Sequence, residues 1–452
     1  MGAQQNLLDV YQLALLHDPT WASARSANTA AQEKLVQGKA LFRPTVSASI
    51  NAGHSETDIQ YIGTGGNPFR SGGPQHFNSA GFGFNINQPI FSKLYNAEYE
   101  QAKIQVTQAD KQLVLAWQNL ILRTSQAYFD VLLAQDKINL IQAQKSAINR
   151  QFEQAKANFD VGSATITDVN EAQARYDLTV AQEVAAINDF EVKKRAVQSV
   201  IGQLPQKFAH VRADLKTPLP EPHDMQSWVQ IALQNNLNLG IQQQVYEFAS
   251  QEVERQNAGH FPTLDGVANY NSNRAEGGIN GFGSDLQNAT IGLQIQIPIY
   301  QGGAVSSRVR EAVANKQKAF EDVEVARRQA EFDTREAYLN VASSVAQVSA
   351  YEQALVSSRS QLDSTNLGYE VGVRTSVDVL NAQQQLFSAE RDLLQARYSY
   401  LLNIIRLKSA AGLINEADLG DINKRLVANQ TQPNQAQQGQ TQDGVIITPL
   451  SQ

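Results

Sequence analysis

The sequence predicts a mainly α fold with a small β part, in which one plan is used twice. Three observations predict it. VGSATITD at Val161 to Asp168 returns 210 positions later as VGVRTSVD at Val371 to Asp378. Two stretches, the 67 residues Lys93 to Phe159 and the 64 residues Ala304 to Leu367, contain neither Gly nor Pro. Two short segments, AGFGFNINQPIF at Ala80 to Phe91 and ATIGLQIQIPIY at Ala289 to Tyr300, alternate apolar and polar residues.

Each half opens on an amphipathic segment, Asn6 to Gln37 and Gln226 to Asn257, and reaches a Pro-containing junction at Pro44 or Pro262. A Gly-rich polar stretch follows, Gly53 to Gly83 and Glu276 to Gly283, which reads as loop. The alternation of Phe82, Phe84, Ile86 and of Ile291, Leu293, Ile295, Ile297 has period two, so each segment is a strand with one apolar face. Two strands are expected within 44–91 and two within 262–300. Proline cannot continue a central ladder, so Pro89 and Pro298 are expected to close them.

The Gly- and Pro-free stretches predict helices over 93–159 and 304–367, each spanning roughly 100 Å at 1.5 Å per residue. Ordinary globular helices are about 11 residues, so these are coiled-coil-like. Ile148, Phe152, Ala155 and Phe159 step by 4-3-4; Val379, Ala382, Leu386, Ala389, Leu393, Ala396 and Tyr400 step by 3-4. Turns at 160–166 and 368–376 lead into shorter helices over 167–200 and 377–411. The repeats are 1–220 and 221–428, with a mixed region from 201–225 and 412–428. The Gln/Asn-rich 429–452 cannot bury a core and is expected to be disordered.

Composition narrows the function. Net charge is −7 without a Lys/Arg block, so nucleic acid is not the expected partner. There is no cysteine, and the six histidines are scattered. No P-loop or G-x-S-x-G is present, and GTGG at Gly63 to Gly66 and GGINGFG at Gly277 to Gly283 read as exposed loops. The expectation is no enzyme, no cofactor and no metal site. Mean hydropathy is −0.35, and the longest apolar runs, such as YSYLLNII at Tyr398 to Ile405, fall short of the roughly 20 residues of a spanning helix. Barrel strands are shorter and alternate, so a membrane protein stays open. Four strands leave two edges and cannot close a barrel; twelve from a trimer are one closed solution.

The repeated turns carry the candidate site. Gly162 and Gly372 suit a helix C′ position with positive φ. Thr165 and Thr375 suit an N-cap, with Asp168 and Asp378 three residues on in capping-box spacing. Hairpin formation alone explains every residue the copies share. The mismatches need another reason: Phe159 becomes Tyr369, Ala164 becomes Arg374, and Thr167 becomes Val377. Tyr369 and Arg374 are expected to bond Thr167 and Asp168 of a neighbouring hairpin, since a guanidinium grips a carboxylate with two hydrogen bonds.

The duplicated plan, VYQLAL near the start, IPIYQGG at Ile297 to Gly303, and the paired turns (the second in LGYEVGVRTSVDVL) closely resemble the TolC family up to about residue 428. The resemblance implies a homotrimeric outer-membrane exit duct for efflux and type I secretion. Its twelve strands make one barrel and its helices a periplasmic tunnel. The turns around Gly162, Thr165, Gly372 and Thr375 dock a periplasmic adaptor and an inner-membrane efflux or ABC transporter. Strand residues Gly81, Gly83, Asn85, Asn87, Gln294 and Gln296 would face the lumen, and Phe91, Tyr95 and Tyr300 an interfacial belt. The resemblance also implies a latch at Tyr369 and Arg374. It implies the mature form, since MGAQQNLLDVYQLAL has no basic start or apolar core of a signal peptide. Three copies of Asp378 could ring the axis and attract cations. The family pattern has an aspartate one turn later, where this chain has Asn381, which predicts weaker polyvalent-cation plugging. A family latch position, normally Gln, is Ala157 here, which predicts fewer links.

Overall fold

The computed structural model describes residues 6–60, 73–205, 208, 210–211, 215–278, 282–424 and 426–427. The expected tail at 429–452 and the GTGG stretch lie outside them, as does part of GGINGFG.

Each opening segment is two helices rather than one. In the first half α1 (Leu7–His17) gives way to α2 (Pro19–Ala40) at Asp18. Pro19 lacks the N–H that a continuing helix needs, and it starts α2 at the first helical position. Asp18 caps α2 by accepting from the Trp21 N–H at 2.7 Å, and its buried carboxylate also takes Arg123 at 3.0 Å.

β1 (Thr45–Ile59) and β2 (Gly73–Phe91) follow, then α3 (Lys93–Asp160), α4 (Ile166–Ile201) and the short β3 (His210–Val211). The second half repeats the order: α5 (Met225–Asn235) and α6 (Leu237–Asn257) break at Asn236, whose side chain accepts from Leu239 N–H and donates to the Ala410 carbonyl. Then come β4 (Thr263–Ala275), β5 (Ser284–Gln296), α7 (Ala304–Glu370), α8 (Ser376–Ala410), α9 (Glu416–Asn423) and β6 (Leu426–Val427), which pairs with β3.

The strands form one antiparallel sheet in the order β1-β2-β4-β5. Two readings of the sequence need correction. Gly53 to Gly83 is not loop throughout: β1 takes it as far as Ile59 and β2 resumes at Gly73, because β1 pairs with β2 along its whole length. Pro89 does not close β2: the ladder runs on to Phe91, with the register slipping between Pro89 and Phe91. The missing N–H is absorbed by this irregularity, one of the few places a sheet tolerates proline. β5 ends at Gln296, two residues before Pro298.

Register fixes the faces. Phe84 stands opposite Ala48 and Tyr270, and Phe82 opposite Ile50. With Ile291, Leu293 and Ile295 of β5, they make one apolar face; Ile50 is 88% exposed and Ile291 89%. The other face is amide and hydroxyl: Ser47 opposite Asn85, Asn85 opposite Asn269, Asn269 opposite Thr290. Gly81 and Gly83 make room on it. A Cβ on Gly81 would stand 2.0 Å from Asn273 Oδ1, and one on Gly83 2.4 Å from Asn271 Oδ1. Among the described strand residues on this face, Asp265 is the one that carries a charge.

The largest core lies where the short helices wrap the long ones. Leu7, Tyr11 and Ala14 of α1, Trp228 and Ala232 of α5, and Leu419 and Ile422 of α9 pack with Leu120, Ile121, Tyr128 and Leu132 of α3 and with Tyr400, Leu401 and Ile405 of α8. This girdle fixes the long helices midway and leaves their far ends as two hairpins, α3–α4 and α7–α8. No described helix is long and apolar enough to cross a membrane.

Candidate functional site

The two hairpin tips are built alike. Gly162 (φ 76°) and Gly372 (φ 78°) take the left-handed conformation that L side chains rarely adopt. In the first turn Gly162 N–H donates to the Phe159 carbonyl at 2.9 Å and Ser163 N–H to Asn158 at 2.8 Å. In the second, Gly372 donates to Tyr369 at 3.1 Å and Val373 to Gly368 at 2.9 Å. This pair of bonds closes a helix C-terminus as a Schellman motif. Both returning helices start on complete capping boxes. Asp168 Oδ2 accepts from Thr165 N–H at 3.0 Å and Asp378 Oδ2 from Thr375 N–H at 2.9 Å, while each threonine hydroxyl accepts from the aspartate N–H. The Thr375 backbone N–H, then its hydroxyl, holds the Asp378 carboxyl below its ordinary value, with Arg374 adding a smaller attraction. Asp378 is therefore ionised at neutral pH.

The mismatched positions do not all meet inside one chain. Tyr369 is half-buried, and its hydroxyl accepts from Asn158 Nδ2 at 3.0 Å. Asp168 is engaged by Thr165 of its own turn, while Thr167 and Arg374 are exposed at the tips. The Arg374 stem folds back over Gly368, where a Cβ would stand 2.7 Å from Arg374 Cγ. At the 210-residue offset, Gly368 and Arg374 replace Asn158 and Ala164. The large side chain thus moves from one member of the pair to the other, and each copy keeps one small residue beside it.

Among the described residues near the tips, links from Asn158, Gln151 and Arg175 join the two hairpins, and the comparison of turns singled out none of these three. Asn158 holds Tyr369, as above. Gln151 Nε2 donates to Ser376 Oγ at 3.4 Å in a buried contact. Arg175 on α4 reaches α8, donating from Nη2 to Asn381 Oδ1 at 2.8 Å and from Nη1 to Gln384 Oε1 at 2.5 Å; Nη2 also reaches Glu171 at 3.1 Å. Ala157 is exposed and adjoins the residue that makes the first link. An apolar cluster of Ile148, Ala155, Val169 and Ala172 with Leu380 of α8 seals the same region, with the Phe152 and Tyr176 rings stacked 6.4 Å apart. The signal for these residues lay a turn or two beyond the repeated phrase: Asn158 aligns with Gly368, and Arg175 with Gln385.

The chain matches the family described as outer membrane efflux protein over residues 10–203 and again over 228–413. It is 31% identical over 424 residues to the outer membrane protein TolC of Vibrio cholerae, covering 93% of this chain and 94% of that protein. With the alkaline protease secretion protein AprF of Pseudomonas aeruginosa it shares 30% over 433 residues, 94% of this chain and 88% of the other. The crystal structure of VceC from Vibrio cholerae aligns with a TM-score of 0.74 at 20% identity, over 90% of this chain and 96% of that one. The Campylobacter jejuni CmeC outer membrane channel aligns at 0.75 with 19% identity, over 93% and 89%.

A two-faced sheet set on helices of this length is the architecture of an outer-membrane channel with a long periplasmic helical part, and the protein is a channel and not an enzyme. The chain belongs to the outer membrane efflux protein family, and it is an exit channel of the TolC type.

Proposed function

We propose that three copies of the chain close one twelve-stranded barrel and one helical tunnel. The assembly is a passive exit duct for drugs, secreted proteins or both, fed by an inner-membrane efflux or ABC transporter through a periplasmic adaptor. The sheet carries the proposal. It has an apolar face, a polar face, and strands β1 and β5 at its two edges, each with a side free for another strand. Such edges invite pairing with another chain, and a membrane offers no water to satisfy them. The polar face then lines a lumen almost without charge, so the barrel does little ionic filtering.

Selection falls to the periplasmic tips. Tyr369 and Arg374 of one hairpin bond Thr167 and Asp168 of the next and hold the entrance shut. The Asp378 carboxylates ring the axis and draw cations. The adaptor and transporter seat on the turns at Gly162, Thr165, Gly372 and Thr375 and pull the hairpins apart. Exposed Val161, Val371 and Val373 at the tips, 79%, 66% and 75% accessible, suit such docking. The test is purification in detergent followed by sizing and reconstitution into planar bilayers. A trimer that conducts supports the reading; a species that stays soluble without detergent as a monomer refutes it.

A further inference from the structure

We infer that Arg175 is a positioning residue of the entrance, a two-pronged clasp that holds α8 against α4 within each protomer and must release before the second hairpin can swing away from the first. The inference rests on the reading of the tips as the gate and deepens it. Arg175 lies seven residues beyond Asp168 on α4, two helical turns above the turn. Its acceptors Asn381 and Gln384 are three residues apart on α8, so they share one face, and Asn381 follows Asp378 by the same step. One guanidinium therefore spans two successive positions of the stripe that carries Asp378. A planar fork with fixed donors suits this, and an ammonium on a flexible stem does not. The clasp is not solvent-loose: the Arg175 side chain is 24% exposed, and Glu171 one turn back steadies it at 3.1 Å.

The arrangement explains Asn381 in mechanical terms. A neutral amide accepts from Arg175 but leaves Glu171 as its carboxylate partner, so the clasp closes without locking. A carboxylate at this position would bind the guanidinium more tightly and hold the hairpins together.

Two substitutions separate this mechanism from a plain effect of charge. Arg175→Gln and Asn381→Asp each make the entrance more negative by one charge per chain. If charge alone mattered, both would move conductance and cation preference in the same direction. The clasp predicts opposite gating. Arg175→Gln raises the open-to-closed ratio about tenfold, the effect of one lost charge-assisted link, whereas Asn381→Asp lowers it below wild type. Arg175→Lys, which keeps the charge but not the fork, falls between wild type and Arg175→Gln. The measurement is single-channel recording of the full-length trimer in planar bilayers, with size-exclusion chromatography showing that each variant remains trimeric. Equal directions of change for the two isoelectric variants, or no change in either, overturn the clasp. Tyr369→Phe/Arg374→Ser serves as the control. If it too leaves conductance unchanged, the gate reading fails. If it opens the channel while the Arg175 and Asn381 variants move together or not at all, the clasp alone is wrong.

Discussion

Lysine placed at either of two adjacent residues of β2 tests the assignment of faces. Phe84 lies on the apolar face between Ala48 and Tyr270, midway along the band that runs from Ala80 to Ile86; Asn85 points to the other face, between Ser47 and Asn269. A Lys on the lipid-facing side of a membrane barrel costs roughly 2–4 kcal/mol at the bilayer midplane, and a lumen substitution costs little. Three copies at well-separated sites add, giving about 6–12 kcal/mol per barrel. That is comparable with the whole stability of an ordinary domain, about 5–15 kcal/mol. Phe84→Lys is therefore expected to abolish folding into lipid vesicles, read as loss of the compact, heat-modifiable band on gel electrophoresis. Asn85→Lys is expected to fold at the wild-type yield and to shift the barrel toward anions. Equal damage from both, or greater damage from Asn85→Lys, would refute the two-faced sheet as a membrane barrel wall.

Other outcomes follow from the tips. Thr375→Ala removes the hydroxyl that accepts from Asp378 N–H, and loss of a cap of this kind costs about 1 kcal/mol of local helix stability; amide exchange at 376–379 should quicken while the strands are unaffected. The Asp378 carboxyl is depressed in the fold, so its contribution to the cap is present above the ordinary value of 3.8 and is lost as pH falls through the lower folded value. Protection of the tip amides relative to their intrinsic exchange should therefore be flat at neutral pH and fall only in strong acid. Gly368→Ala favours the helix by about 1 kcal/mol yet meets Arg374 Cγ at 2.7 Å; conductance should rise although the helix is more stable. Asn158→Ala and Tyr369→Phe should be non-additive in gating, with a coupling of about 1 kcal/mol for the shared hydrogen bond.

Much of this fold was legible because its signals are long or repeated. The Gly- and Pro-free stretches mark α3 and α7, and both helices run on past the expected ends, to Asp160 and Glu370, because their last turn is completed by the Schellman bonds of Gly162 and Gly372. Alternation marked the strands, but not how a ladder passes Pro89, because a bulge depends on the partner strand β4. The breaks at Asp18 and Asn236 were missed, since amphipathic spacing continues across them and only cap geometry separates one helix from the next. At the tips, the capping residues could be read from the sequence because their partners are three residues away. Asn158, Gln151 and Arg175 could not, because their partners Tyr369, Ser376, Asn381 and Gln384 are about 210 residues distant. Only the fold brings them together.

The central claim is that the hairpin tips close a channel. The most direct measurement is the single-channel conductance of the purified protein in planar bilayers, wild type against Tyr369→Phe/Arg374→Ser. The account predicts a small conductance for the wild type and a severalfold larger one for the variant, with both proteins trimeric. Identical conductance in the two proteins, or no channel in either, would contradict it.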